Sequence, residues 1–238
     1  MFKRSLMAAS IVFLIGCNSG PSQTAENTVG GPNVVSTAQT RLTNGTTSIS
    51  LDWGKNAQAG QLAVADVVSY GGPKVTITAP AGWQLIREDS TPTTRQSLYW
   101  HAIQANDPST ATWTFNEPVD AQGALILLDN VAAASPADMT SGNAGNGGTL
   151  TAKSIVTTSD GDLILSFNAT DFHLPGLAPQ LPADTKALIN QEAAPNEFWI
   201  LSTYQSQNAA TEDQVSTVAQ LFNWTAAQVA IKKGTATP

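Results

Sequence analysis

"GQLAVADVVSYG", residues 60–71, decides the fold. A glycine opens the stretch and Gly71, Gly72 and Pro73 break it off. Between them, Gln61 to Tyr70 is a short apolar run rich in valine. Such a run, bounded at both ends by turn residues, reads as a buried β-strand.

The same grammar extends in both directions. Strands are expected over 46–51, 74–78, 84–88, 97–104, 111–115 and 123–128. The breaks carry Asn44-Gly45, Asn106-Asp107-Pro108 and Asn116-Glu117-Pro118, residues that favour turns. Alternation is visible in Val75-Thr76-Ile77-Thr78 and Thr112-Trp113-Thr114-Phe115, as a strand with one buried face requires. Short strands with turn signals every 8 to 12 residues argue for a sandwich rather than βαβ units.

The pattern then repeats. Gly60-Gln61-Leu62 is answered by Gly161-Asp162-Leu163, and Leu85-Ile86 by Leu188-Ile189. Tyr99-Trp100 has a counterpart in Phe198-Trp199, and the strand Gly123 to Leu128 in Ala227 to Lys232. Most of these offsets fall near 101 to 104 residues, which points to a duplicated half. The expectation is an all-β, jelly-roll-like antiparallel β-sandwich of about ten strands over residues 38–234, with halves 38–140 and 150–234. The stretch SGNAGNGGT at 141–149 reads as the loop that joins them. Val215, Val218, Phe222 and Val229 fall near helical spacing, but the repeat assigns a strand there.

The segments GQLAVADVVSYG, APAGWQLIRED, QSLYWHA and ATWTF together resemble a β-sandwich module of phage virion proteins and bacterial secreted or surface proteins. Its marks are a G-[DQ]-L strand opener, a P-A-G-W step and a Y-W strand. The resemblance spans roughly residues 40–232 and is better in the first half; the second has Asp184-Thr185 in place of Gly82-Trp83. It implies a fold and an extracellular location, and no agreed catalytic residues.

The amino terminus carries a different message. Lys3 and Arg4 precede an apolar and small-residue run from Ser5 to Gly16, the pattern of a secretory signal peptide. The run is well short of the ~20 residues of a permanent membrane span. Leu14-Ile15-Gly16-Cys17 resembles the lipobox of bacterial lipoproteins, and Cys17 is the only cysteine in the chain. The resemblance implies cleavage before Cys17 and acylation of that residue with chains such as palmitate. Two or three acyl chains anchor durably, at roughly 0.8 kcal/mol per buried CH₂. Residues 17–37 then read as the lipidated cysteine and a polar tether, and Asn18 fits outer-membrane sorting in a double-membraned host.

Without residues 1–16 the chain holds nine basic and 18 acidic side chains, a net of −9. No basic cluster exists beyond Lys232-Lys233, which argues against nucleic acid as a partner.

Candidate chemistry is sparse. His101 and His173 are the only histidines, and Asp171 shares a face with His173, yet two residues make no zinc site. No G-x-S-x-G, H-E-x-x-H or Walker motif occurs. Glu88, Asp89, Glu192 and Glu197 are candidates for a glycosidase pair, with surface solvation as the alternative. No cofactor is expected, except that Asn106-Asp107, Asp129-Asn130 and Asp160-Gly161-Asp162 carry oxygen ligands suited to Ca²⁺ as well as to ordinary turns. Trp83, after its Pro-Ala-Gly turn, and Tyr70 are the candidate ligand-binding aromatics. The functional expectation is a lipid-anchored, non-enzymatic envelope protein whose sandwich binds a glycan or a surface protein, or is structural. A carbohydrate-active enzyme and a phage-encoded lipoprotein that alters its host's surface are the alternatives.

Overall fold

The computed structural model describes residues 30–171, 180–182, 185–191, 201–206 and 212–235. Cys17, His173, Glu192, Glu197 and the Phe198-Trp199 pair lie outside these described residues.

Two antiparallel sheets make a β-sandwich, one from each half of the chain. The first contains β1 (Asn33–Asp52), β2 (Leu62–Ser69), β3 (Ile77–Thr78), β4 (Gln84–Ser90), β5 (Arg95–Ala102) and β6 (Thr110–Asp129). The second contains β7 (Ala137–Ala152), β8 (Leu163–Thr170), β9 (Lys186–Gln191), β10 (Leu201–Ser206) and β11 (Gln214–Ile231). Strand order is β1-β6-β2-β5-β4 in the first and β7-β11-β8-β10-β9 in the second, with β3 added on β6. The orders are the same, strand for strand, so the repeat seen in sequence is a repeat of topology.

Register refines that repeat. Leu62 pairs with Leu128, and Leu163 pairs with Ile231. Leu62 corresponds to Leu163, so Leu128 corresponds to Ile231, an offset of 103 where the sequence match used 104. A slip of one residue would turn every side chain to the other face. Leu128 and Ile231 indeed face the same core, between the sheets, with Leu62, Val64, Ile126, Leu163, Leu165 and Phe167.

Both central strands, β2 and β8, are buried along their whole length. One face meets the opposite sheet. The other is covered because each sheet curls. β1 and β6 are 20 residues each. Their register shifts between Leu42 and Thr46, where Asn44 and Gly45 have φ of 82° and 70°. The Asn-Gly turn read from sequence is therefore a bend inside one strand, and Asn116 to Pro118 lie within β6. Beyond the bend, Ile49 and Leu51 on β1 join Trp113 and Phe115 on β6, packing over Ala63, Ala65 and Val67 as a second core. The second sheet has the same device, with Leu150 and Ala152 packed on Trp224 and Ala226.

One expectation is corrected here. Residues 141–149 are not a joining loop; they lie within β7 and pair with β11. Their glycines serve close approach. A Cβ on Gly145 would sit 2.5 Å from the Trp224 ring, and one on Gly142 would sit 2.0 Å from the Arg87 guanidinium. The actual connection is 130–136, pinned by a bridge between Val131 and Lys233. β1 also starts at Asn33, within the residues 17–37 read as cysteine and tether. Residues 214–231 form β11, so the strand assigned by the repeat prevails over the helical spacing.

Candidate functional site

The end of the first sheet where β1 and β5 finish carries the most elaborate side-chain chemistry. Two loops meet there, 53–61 and 103–109. The Trp53 amide donates to Ser109 O at 3.0 Å, Gly60 N to Ile103 O at 3.0 Å, and Ile103 N to Gln61 O at 2.8 Å. The loops thus hold one another through backbone bonds. They enclose an open cleft of about 390 Å³ whose lining includes Trp53, Lys55, Gln58, Ile103, Asp107 and Ser109.

Behind the cleft lies an aromatic cluster. Trp83 stacks on His101 with centroids 5.4 Å apart and 23° between planes. Trp53 is 5.9 Å from Trp83, and Trp113 meets Trp83 edge-on at 4.7 Å. Trp83 is therefore half-buried and packed against the core, with one ring face occupied by histidine.

His101 is fixed at both nitrogens. Nδ1 is 3.0 Å from Gly82 O and Nε2 is 2.7 Å from Asp107 Oδ2. Both neighbours are acceptors, so the two bonds form together when each ring nitrogen carries a proton. Desolvation pushes the Asp107 carboxyl up. The Gln104 amide, the His101 hydrogen bond and the His101 charge outweigh it and hold the group below its ordinary value. Both ring nitrogens thus face oxygen acceptors of the protein itself, Gly82 O and Asp107 Oδ2, and neither faces a serine hydroxyl.

The Asp107 contribution can be tested. A carboxyl held low stabilises the fold above its ordinary value near 3.9, and the stabilisation is lost as pH falls through the lowered one. Asp107→Asn keeps the shape and removes the charge, so it should cost about 1–2 kcal/mol at pH 7. The cost should be smaller at pH 3, where that loss is under way. Thermal melts of both proteins at the two pH values check this, and equal midpoints at pH 7 would refute it.

Tyr70 sits elsewhere. It follows β2 at the opposite end, packs with Val68, Ala124, Ala169 and Ile189 between the sheets, and donates to Gln122 Oε1 at 3.2 Å. Burial first, then the nearby Asp66 and Asp171, push its hydroxyl well above the usual tyrosine value. Trp83 and Tyr70 are thus on opposite faces of one sheet and form no common site.

Of the carboxylate candidates, the two described ones, Glu88 and Asp89, are engaged. Glu88 accepts from Arg95 at 2.5 Å and from the Ser97 hydroxyl at 3.0 Å. Asp89 pairs with Arg87 at 2.7 Å. Asp171 accepts from Asn223 and from the Thr93 hydroxyl, joining the two halves.

Among the oxygen-rich loops, Asp162 is 3 % exposed. Desolvation first, and then the Asp138 charge, push its carboxyl up. Lys232 Nζ stands 3.3 Å from Asp138 Oδ1, so an ammonium already supplies the positive charge at this pair. Among the described residues no group of three or more His, Cys, Asp or Glu side chains could hold a metal ion. Among them, too, no helix is long and apolar enough to cross a membrane.

The sequence reading missed Lys55 and Gln58 as cleft residues and Asp107 as the partner of His101. A turn of Asn106-Asp107-Pro108 directly after the histidine strand was the available signal. The second half does not repeat this site: Ala63 pairs with His101, whereas the corresponding Ile164 pairs with Ser206. No protein-family model, curated protein or solved structure matches the chain.

Proposed function

We propose that the chain is a bacterial envelope lipoprotein, held in a membrane by acylated Cys17, that displays a non-enzymatic β-sandwich binding a glycan at the Trp53 cleft. In a double-membraned host the outer membrane is the proposed site. The observation that carries the binding reading is the cleft itself. Its two loops are tied together before any ligand arrives, so little ordering entropy opposes binding. Its lining combines exposed polar residues, Gln58 and Gln104, with the edge of the buried Trp53 and Ile103, which suits the hydroxyls of a sugar more than a broad apolar ligand. A glycosidase is disfavoured, because among the described residues Asp107 is the only acid lining the cleft and it is bound to His101 and to Gln104 N. The anchor rests on the signal peptide and lipobox of residues 1–17.

The first test is intact mass of the membrane-fraction protein beside Cys17→Ala. The expected result is a mature chain that starts at Cys17 and carries acyl chains, with mutant protein unmodified and released from the membrane. A free thiol on a soluble wild-type protein would refute the anchor.

A further inference from the structure

We infer that the cleft selects an anionic saccharide, one bearing a carboxylate or sulfate, and that Lys55 is the residue that recognises the charge. The inference rests on the glycan-binding reading above and names the ligand class.

Charge around the cleft is the first ground. Asp107 is hydrogen-bonded to His101 Nε2 at 2.7 Å and also accepts from Gln104 N at 2.7 Å, so its acceptor oxygen is already used within the protein. Asp52, three residues before Lys55, turns its Oδ1 to Gly54 N at 2.7 Å. Lys55 lines the cleft and makes no ion pair among the described residues. Elsewhere in the first half of the chain Arg87 pairs with Asp89, Arg95 with Glu88 and Lys74 with Glu117. The chain has a net charge of −7, so an unpaired lysine at the mouth of a preformed cleft is a local exception to the field of the whole molecule.

Position is the second ground. Asn33, where the chain enters the fold, pairs with Asp129. The adjacent Leu128 pairs with Leu62, and Gln61 O receives Ile103 N at the cleft. The entering chain and the cleft therefore share one end of the sandwich. About fifteen residues separate Cys17 from Asn33 in sequence, which bounds the distance between the two at roughly 55 Å. A lipid-anchored protein would turn this end towards its own membrane. The saccharide within reach is then one of the same envelope.

The test uses the full-length lipidated chain in detergent and isothermal titration at low salt. The probes are trigalacturonate, its full methyl ester and a sulfated galactose trisaccharide. Wild type should bind the acid up to about fivefold tighter than the ester, the scale of one exposed charge contact. Lys55→Ala should abolish the preference for the acid over the ester, and Lys55→Arg should restore it. Tighter binding of the sulfated sugar, also lost in Lys55→Ala, would assign the anion as sulfate and uphold the inference. Equal binding of acid and ester, indifferent to Lys55→Ala, would overturn it while leaving glycan binding intact. Binding of none of the three sugars by folded protein would overturn both.

Discussion

The protein should lose stability steadily as pH rises from about 4 to about 8, and Asp66→Asn should abolish most of that slope. Asp66 lies on β2 with Leu62, Val64 and Val68 on the face that meets the second sheet, and it is fully buried. Desolvation raises its carboxyl to about 8, opposed by the Gln96 hydrogen bond and aided by the Asp89 charge. Gln96 Nε2 donates to Oδ2 at 2.8 Å, while Oδ1 has no partner among the described residues.

The sign follows from which state holds the proton. Below pH 4 the folded and unfolded chains are both protonated at this group, and its contribution is fully present. Between 4 and 8 only the unfolded chain ionises freely, so unfolding gains ground until both are ionised. A shift of this size corresponds to a loss on the order of 5 kcal/mol. The asparagine variant keeps an acceptor for Gln96 and cannot ionise, so at pH 8.5 it should be several kcal/mol more stable than wild type. The second half supports the substitution: Asp66 corresponds to Phe167, an apolar residue in the same core. Urea denaturation of both proteins at pH 5 and 8.5 decides the matter. Parallel wild-type and mutant stabilities across that range would mean that Asp66 is solvated or paired in the folded protein.

The second large effect is expected at Trp113. It is 0 % exposed, lies on the curled part of β6, and packs against Trp83 at 4.7 Å and Tyr99 at 6.0 Å. Trp113→Ala should cost about 3–5 kcal/mol, the range for large aromatic truncations that leave a cavity. Trp113→Phe should cost much less. The indole Nε1 makes no hydrogen bond among the described residues, so phenylalanine strands no partner. The alanine variant should also weaken binding at the cleft, because Trp113 supports Trp83 and Trp83 supports the His101 ring. Urea midpoints of the two variants check the first claim. If alanine and phenylalanine cost the same, lost hydrogen bonding rather than lost volume would be the cause.

Much of the strand pattern was legible because burial has a period. Thr112-Trp113-Thr114-Phe115 alternates in sequence, and in the fold the threonines face out and the aromatics in. The Gly/Asn stretch at 141–149 misled for a physical reason. Glycine weakens a strand by its own entropy, and its usual meaning is a turn. Here it clears space for Trp224 and Arg87, contacts that come from residues far along the chain. Asn44-Gly45 was recognised as a local turn, but whether such a turn ends a strand or bends it depends on the partner, and β6 continues across the bend.

The site was legible only in part. His101, Asp107 and Trp83 were each visible as residue types, and nothing local said that a loop six residues on would close over the histidine. By itself the sequence determined the all-β class, the doubled organisation and the lipobox expectation at Cys17, because periodicity, repetition and a short motif are properties of neighbouring residues. Tertiary structure alone decided the curl of each sheet, the burial of Asp66, the separation of Trp83 from Tyr70 and the cleft at Lys55. Each of these depends on which distant strands share a face, and a one-residue change of register would have altered them all.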